Sequence, residues 1–355
     1  MRILPAVLLS LLFLLAACKN TLVDPPPGTA PGAVSKGVYV LNEGMFGDPA
    51  GARLSFLDLL TDSVYFDLFE TANAGAHLGS LGDDLEVYGD RIYTLMSGSE
   101  NLAVLDTTDH ALVQSATYAG TVPHDLLIDP LRNSIYLTQL FSGSVARVDL
   151  TTLAQLETIP VGANPQGMAF ANDYLFVCNS GFGSGNTVTV ISAVTHATVE
   201  TLVVGDGPTR AVVGMDGRVW IACTGNAFGT PPTLGSVYAV NPISLIVEDV
   251  VPFPENLWGS IAAGTDGSIY LLGVTSGSFY GGPVHRILSS SLAIEMNFLP
   301  GTYYSLAADP ATGRIYAADA RDFQGDGELF IFEQNGTAVT VVPTQRGPGA
   351  IAFRY

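Results

Sequence analysis

Hydrophobic and polar positions alternate in short runs along most of this chain, and the runs repeat. Between Pro123 and Asp149 three of them follow one another: Leu126–Asp129, Ser134–Thr138 and Val145–Asp149. A turn with Pro130 and Asn133 separates the first two, and a loop with Phe141 and Gly143 the last two. Each run has the length of a strand and is rich in β-branched and aromatic residues, with polar turn residues at its ends. The middle run carries an aromatic residue at a fixed place. It recurs as Tyr39, Tyr93, Tyr136, Phe176, Trp220, Tyr270 and Tyr316, at spacings of 54, 43, 40, 44, 50 and 46 residues. The third run recurs too, closing on Asp58, Asp106, Asp149, Ser192, Asn241, Leu288 and Glu333.

A period of this length, with about four strands per repeat, predicts an all-β fold, a β-propeller. Helical repeats of similar period need amphipathic stretches of ten or more residues, and none occurs outside the N-terminal segment. Seven copies predict seven blades. A first strand precedes each aromatic strand except the one at Tyr39: Asp84–Tyr88, Leu126–Ile128, Gly167–Phe170, Ala211–Val213, Ser260–Ala263 and Leu306–Ala308. The missing partner is at the other end, where Gly347–Tyr355 (G-P-G-A-I-A-F-R-Y) matches the P-Q-G-M-A-F of Pro165–Phe170. The C-terminal strand is therefore expected to complete the first blade and close the ring, leaving no open seam.

The continuous repeat makes residues 37–355 one domain. A hydrophobic content of 48% with 13% charged residues fits a large core. The net charge of −19, with Lys19 and Lys36 as the only lysines, disfavours nucleic acid and anionic membrane surfaces as partners and otherwise serves solubility. Cys178 and Cys223 occupy the same place in neighbouring copies (F-V-C-N and I-A-C-T). That placement is expected to hold them too far apart for a disulfide, as two buried thiols. No Cys/His spacing suits zinc.

Residues 1–17 read as a targeting segment: Arg2, then the apolar run Ala6–Ala17. With Leu15-Ala16-Ala17-Cys18 at its end, it resembles a bacterial lipoprotein signal. A plain signal peptide or membrane anchor is the alternative. The resemblance implies a lipidated Cys18 and a tether through residue 36, which contains Pro25–Pro27, Gly28 and Pro31. Lys19 stands where inner-membrane lipoproteins carry aspartate, which implies the outer membrane, with the domain held by lipid alone.

The loops after the aromatic strands and those before the first strands should meet on one face, around the central channel. The former place large aromatics among glycines: Phe46, Phe141, Phe182, Phe228, Phe279 with Tyr280, and Phe323. The second copy, M-S-G-S-E-N, has none. The latter contribute His77, His124, Gln166, Arg210, Trp258, Tyr303, Tyr304 and Arg346. Exposed aromatics there make either a recognition patch or plugs over the channel mouth. Arg210 and Arg346 have neighbouring carboxylates as the simpler partners, and His77 and His124 can be ordinary loop histidines. There is no G-x-S-x-G elbow and no H-E-x-x-H. Glu43, Asp83, Asp84 and Asp125 are candidate general bases, but nothing in the sequence marks a pair. Asp322–Glu328 lacks the alternating ligands of a calcium loop and reads as a solvated turn. No catalytic residue, metal or cofactor is assigned.

The run Gly37–Gly47 (G-V-Y-V-L-N-E-G-M-F-G), then Arg53–Asp58, then Asn73–Gly79, resembles the start of a Bacteroidetes surface-lipoprotein propeller family. The turns at Asp106-Thr107-Thr108 and Val188–Val199 resemble YVTN-type (YncE-like) propellers. The BtuG-type members of the first family capture cobalamin at the cell surface and pass it to a TonB-dependent transporter. The resemblance implies a non-enzymatic outer-membrane lipoprotein that binds a small ligand, a corrinoid being one candidate, on its aromatic face. A propeller that docks protein or glycan is one alternative reading, and a propeller lactonase or other hydrolase is another.

Overall fold

The computed structural model describes residues 33–275 and 281–355. Among them the strands form seven four-stranded antiparallel sheets. The innermost strands of consecutive blades touch all the way round, so the sheets close into a seven-bladed β-propeller. Blade 1 is composite. Its inner strand is Pro348–Arg354, paired with Gly37–Asn42, and Arg53–Asp58 and Ser63–Tyr65 lie outside it. Gly37 faces Arg354 and Val40 faces Ile351, and the Lys36 N–H donates to the Arg354 carbonyl at 2.7 Å. The C-terminal strand thus closes the ring as its sequence match requires.

The aromatic of each second strand is buried because that strand lies between two others and its faces pack against the adjacent blades. Trp220 of blade 5 sits in one cluster with Val237 and Val251 of its own blade and with Leu257, Ile269 and Ile287 of blade 6. Its indole N–H donates to Asp216 Oδ1 at 3.2 Å. The residues that close the third strands owe their identity to the hairpin that follows. Asp58, Asp106, Asp149 and Asn241 each accept the N–H of the residue two ahead through the side-chain oxygen, and Ser192 does so through its hydroxyl. A short side chain with an acceptor is what such turns require.

Cys178 and Cys223 are unbridged and buried in the second strands of blades 4 and 5. Burial pushes the Cys223 thiol up to about 12, and raises Cys178 well above the usual thiol range. Both are inert packing groups. In the other direction, the inner strands begin earlier than their hydrophobic runs suggest. The strand expected at Leu126 starts at Pro123, and the one expected at Gly167 starts at Pro165. The extra residues, a proline followed by polar side chains, pass through a β-bulge, which breaks the alternation that marks a strand.

Trp220→Ala is expected to lower stability by about 3–5 kcal/mol, the usual cost of emptying so large a buried site. A urea titration read by far-ultraviolet circular dichroism checks it, with an unchanged midpoint as the contrary result.

Candidate functional site

The second strands end, and the inner strands begin, on the same face of the ring. There the bulges have a common consequence. Register shifts occur at the start of the inner strand in blades 1 to 6, leaving Gly349, Asp83, His124 with Asp125, Gln166 with Gly167, Thr209, and Trp258 to Ser260 outside the regular ladder. A bulge re-aims side chains away from the sheet plane. It explains how residues at the head of an inner strand come to surround the channel mouth. Glycine at two of these places leaves room for neighbours. A Cβ on Gly349 would lie 2.5 Å from Glu43 Oε1, and one on Gly167 would lie 2.8 Å from the Arg210 Cα.

Polar groups dominate the mouth. Arg210 of blade 5 reaches across to Asp125 of blade 3, whose second oxygen accepts the Met168 N–H of blade 4 at 2.7 Å. His124 Nδ1 lies 3.2 Å from Asp83 Oδ1. Glu43, just past the second strand of blade 1, accepts the Tyr304 O–H at 2.7 Å. Deeper in the channel Asp84 accepts the Leu126 N–H at 2.8 Å, and Glu86 accepts that of Ile128. Burial lifts the carboxyls of Glu43, Asp84 and Glu86 above their ordinary range; the Asp83 charge adds to the effect on Glu43 and the Asp84 charge to that on Glu86. Glu43 is held up to about 8, and so carries its proton at neutral pH. The Tyr304 hydroxyl is raised by burial and by its carboxyl partner. Among the described residues no group of three or more His, Cys, Asp or Glu is arranged to hold a metal.

The aromatics predicted from the loops divide into two sets. Phe46, Phe141, Phe182 and Phe228 are exposed, at 86, 65, 60 and 99%. Phe141, Phe182 and Phe228 come from consecutive blades 3, 4 and 5, and the rings of Phe141 and Phe182 lie 6.0 Å apart. Gly181, Phe182 and Gly183 all adopt left-handed backbone, a reversal that turns the Phe182 ring out of the loop. The second set is packed: Trp258 and Phe323 flank Tyr304, with ring centroids at 6.0 and 4.9 Å. Phe279 and Tyr280 lie outside the described residues.

Two predicted residues are placed elsewhere. Tyr303 is a core residue, not a mouth residue: its ring packs edge-on against Phe330 of blade 7 and its hydroxyl donates to the Pro300 carbonyl. His77 is exposed in the segment after the short helix Leu68–Ala72, and Asn73 of that segment bonds the outer hairpin of blade 2. Gln166 and His124 stand at bulges, as above. Arg346 donates to the Gln324 carbonyl, linking two loops of the mouth. Asp322–Glu328 is a turn, with Asp322 Oδ1 accepting the Gln324 N–H at 2.9 Å. Sequence reasoning did not single out the pairing of Glu43 with Tyr304, nor Glu86. The signal for Glu86 was its i, i+2 spacing from Asp84, which puts both on one face of a strand.

Comparisons with known proteins bear on the fold. A family model described as a domain of unknown function, DUF5074, matches residues 36–340. No curated protein sequence matches the chain. Among solved structures, a protein from Lactobacillus plantarum superposes with a TM-score of 0.69 at 13% identity, covering 91% of this chain and 100% of that one. A putative 6-phosphogluconolactonase from Bacteroides fragilis gives 0.68 at 14%, covering 90% and 98%. A quinonprotein alcohol dehydrogenase-like protein from Bacteroides thetaiotaomicron gives 0.66 at 15%, covering 90% and 78%. At these identities the likeness is one of fold, and the neighbours are diverse proteins.

The buried acid in the mouth has a signature in stability. A carboxyl that titrates at 4.5 when free and near 8 in the fold makes the folded state bind more protons across that interval. Its contribution is complete below the free value and is lost as pH rises through about 8. Glu43→Gln is expected to remove that loss, so the variant gains on the wild type progressively from pH 5 to pH 9. Urea midpoints of both proteins at those two pH values check the sign.

Proposed function

The chain belongs to the DUF5074 family, and we propose that it is a non-enzymatic capture propeller that takes a small, partly apolar ligand on its open mouth. The observation that carries this reading is the crescent of Phe141, Phe182 and Phe228. Three rings from consecutive blades stand out from glycine-rich loops beside a polar channel mouth. Exposed phenylalanines of this kind are not plugs, because a plug would be buried. Apolar surface held out on loops of a rigid scaffold is the usual form of a recognition patch. Polar groups below it, including Gln166, Thr209 and Tyr304, would fix the ligand's orientation.

A ligand with a broad apolar face and a fringe of hydrogen-bonding groups suits both layers. A corrinoid such as cobalamin has that form, and the resemblance of the first blade to the BtuG-type lipoproteins supports it as the first ligand to test. On the same reading Cys18 carries the lipid, the domain is held at the outer membrane, the resemblance supports a position at the cell surface, and a TonB-dependent transporter receives the ligand. A surface propeller that docks protein or glycan would use the same crescent with a larger partner.

Calorimetric titration of the purified chain with cyanocobalamin tests the ligand, with one-to-one binding expected. The absence of heat and of any spectral change at micromolar protein would remove the corrinoid. Replacing Phe141, Phe182 and Phe228 together by alanine is expected to weaken binding by about thirtyfold or more, since one well-placed aromatic anchor is worth about 2 kcal/mol. Because the rings are exposed, the urea midpoint should stay nearly unchanged.

A further inference from the structure

One side chain of the mouth differs in character from its neighbours. Glu43 receives the Tyr304 O–H on Oε1 at 2.7 Å, and its Oε2 makes no hydrogen bond among the described residues. The space beside it is kept by Gly349, where a Cβ would collide with the carboxyl. The surrounding charged groups come from several blades. Asp83 and Asp84 belong to blade 2, His124 and Asp125 to blade 3, and Arg210 to blade 5. Arg346 enters from the loop before the inner strand of blade 1.

The basic members of this set are engaged: Arg210 with Asp125, His124 with Asp83, and Arg346 with the Gln324 carbonyl. Glu43 has no ion-pair partner among the described residues. Burial and then the Asp83 carboxylate favour its neutral form. Since Tyr304 already donates to Oε1, the acid's own proton belongs on Oε2, the oxygen that the protein leaves unused.

We propose that Glu43 reads the ligand as a hydrogen-bond donor, its Oε2 hydroxyl binding the carbonyl oxygen of a neutral amide or ester group, so that capture is linked to the proton. The inference rests on the capture reading above. An anionic group would meet Asp83 and Asp84, and a protonated amine offers no lone pair to an O–H donor. A neutral carbonyl suffers neither penalty, and a donor that lacks its acceptor is left unpaired, which makes the contact selective.

The test is the pH profile of binding to the full chain. Cyanocobalamin, which carries neutral amides, and the small amide nicotinamide are titrated from pH 6.5 to 9.5. Calorimetry reads the first, and the backbone amide signals of Gly44 and Tyr304 read the second. One linked proton weakens binding about tenfold per pH unit above about 8, or roughly thirtyfold by pH 9.5. Glu43→Gln keeps a donor that does not titrate, so it should bind within about threefold of the wild type at pH 6.5 and show a flat profile. Cyanocobalamin binding with an unchanged affinity across the range overturns this inference and leaves capture standing. Binding of nicotinamide alone, with the pH dependence described, supports the inference and removes the corrinoid. Failure of both probes at pH 6.5 overturns the inference together with the capture reading.

Discussion

The unpaired edge of the inner strand governs this fold. In a propeller each blade turns one strand edge toward the central channel, where a backbone N–H has no ladder partner in its own sheet. Here side chains of neighbouring blades fill that need. Asp84 and Glu86 of blade 2 accept N–H groups from blade 3, and Asp125 of blade 3 accepts one from blade 4. The Ser305 hydroxyl of blade 7 donates to the Pro348 carbonyl of blade 1. These bonds join neighbouring blades along the channel wall just as the strand Pro348–Arg354 joins the two ends of the chain. The acidity of the channel is thus in large part structural, and it does not by itself mark a ligand site.

Separating the structural carboxylates from the others narrows the chemistry of the mouth. Asp84, Glu86 and Asp125 are occupied by backbone donors, and Asp125 also neutralises Arg210. Asp83 is paired with His124. Glu43 stands apart because its partner, Tyr304, is a neutral donor that leaves one carboxyl oxygen uncommitted. A mouth whose charges are paired internally presents hydrogen-bonding groups more than net charge. Its selectivity then rests on donor and acceptor placement, for which an unmatched buried group is costly.

The fold was legible in the sequence because its signals are local and repeated. The buried aromatic of the second strand, the Asp or Asn that closes the third, and the spare strand at the C terminus each follow from the immediate geometry of a strand or turn. The site was less legible because parity fails there. In a regular strand, neighbours point to opposite faces, so the period assigns each side chain a side. A bulge resets that period without leaving a mark in the hydrophobic pattern. The junction between two strands does the same: Tyr303 closes one strand and Tyr304 precedes the next, and of these identical neighbours one is core against Phe330 and the other meets Glu43. The exposed phenylalanines were easier to place, since a large ring among glycines cannot be part of a ladder.

Both features of the mouth trace to the same economy of construction. The inner strands must begin close to the channel axis, where there is little room for side chains, and bulges with glycine at Gly167, Gly259 and Gly349 relieve the crowding. The relief leaves the space that Glu43, Arg210 and Thr209 fill. The second-to-third strand loops lie farther out, where rings such as Phe182 and Phe228 remain largely exposed. A polar centre with an apolar border therefore follows from the geometry of the ring. Among the described residues the border is continuous through blades 3, 4 and 5 and has no aromatic in blade 2, so a ligand meets an asymmetric mouth and can be held in one orientation.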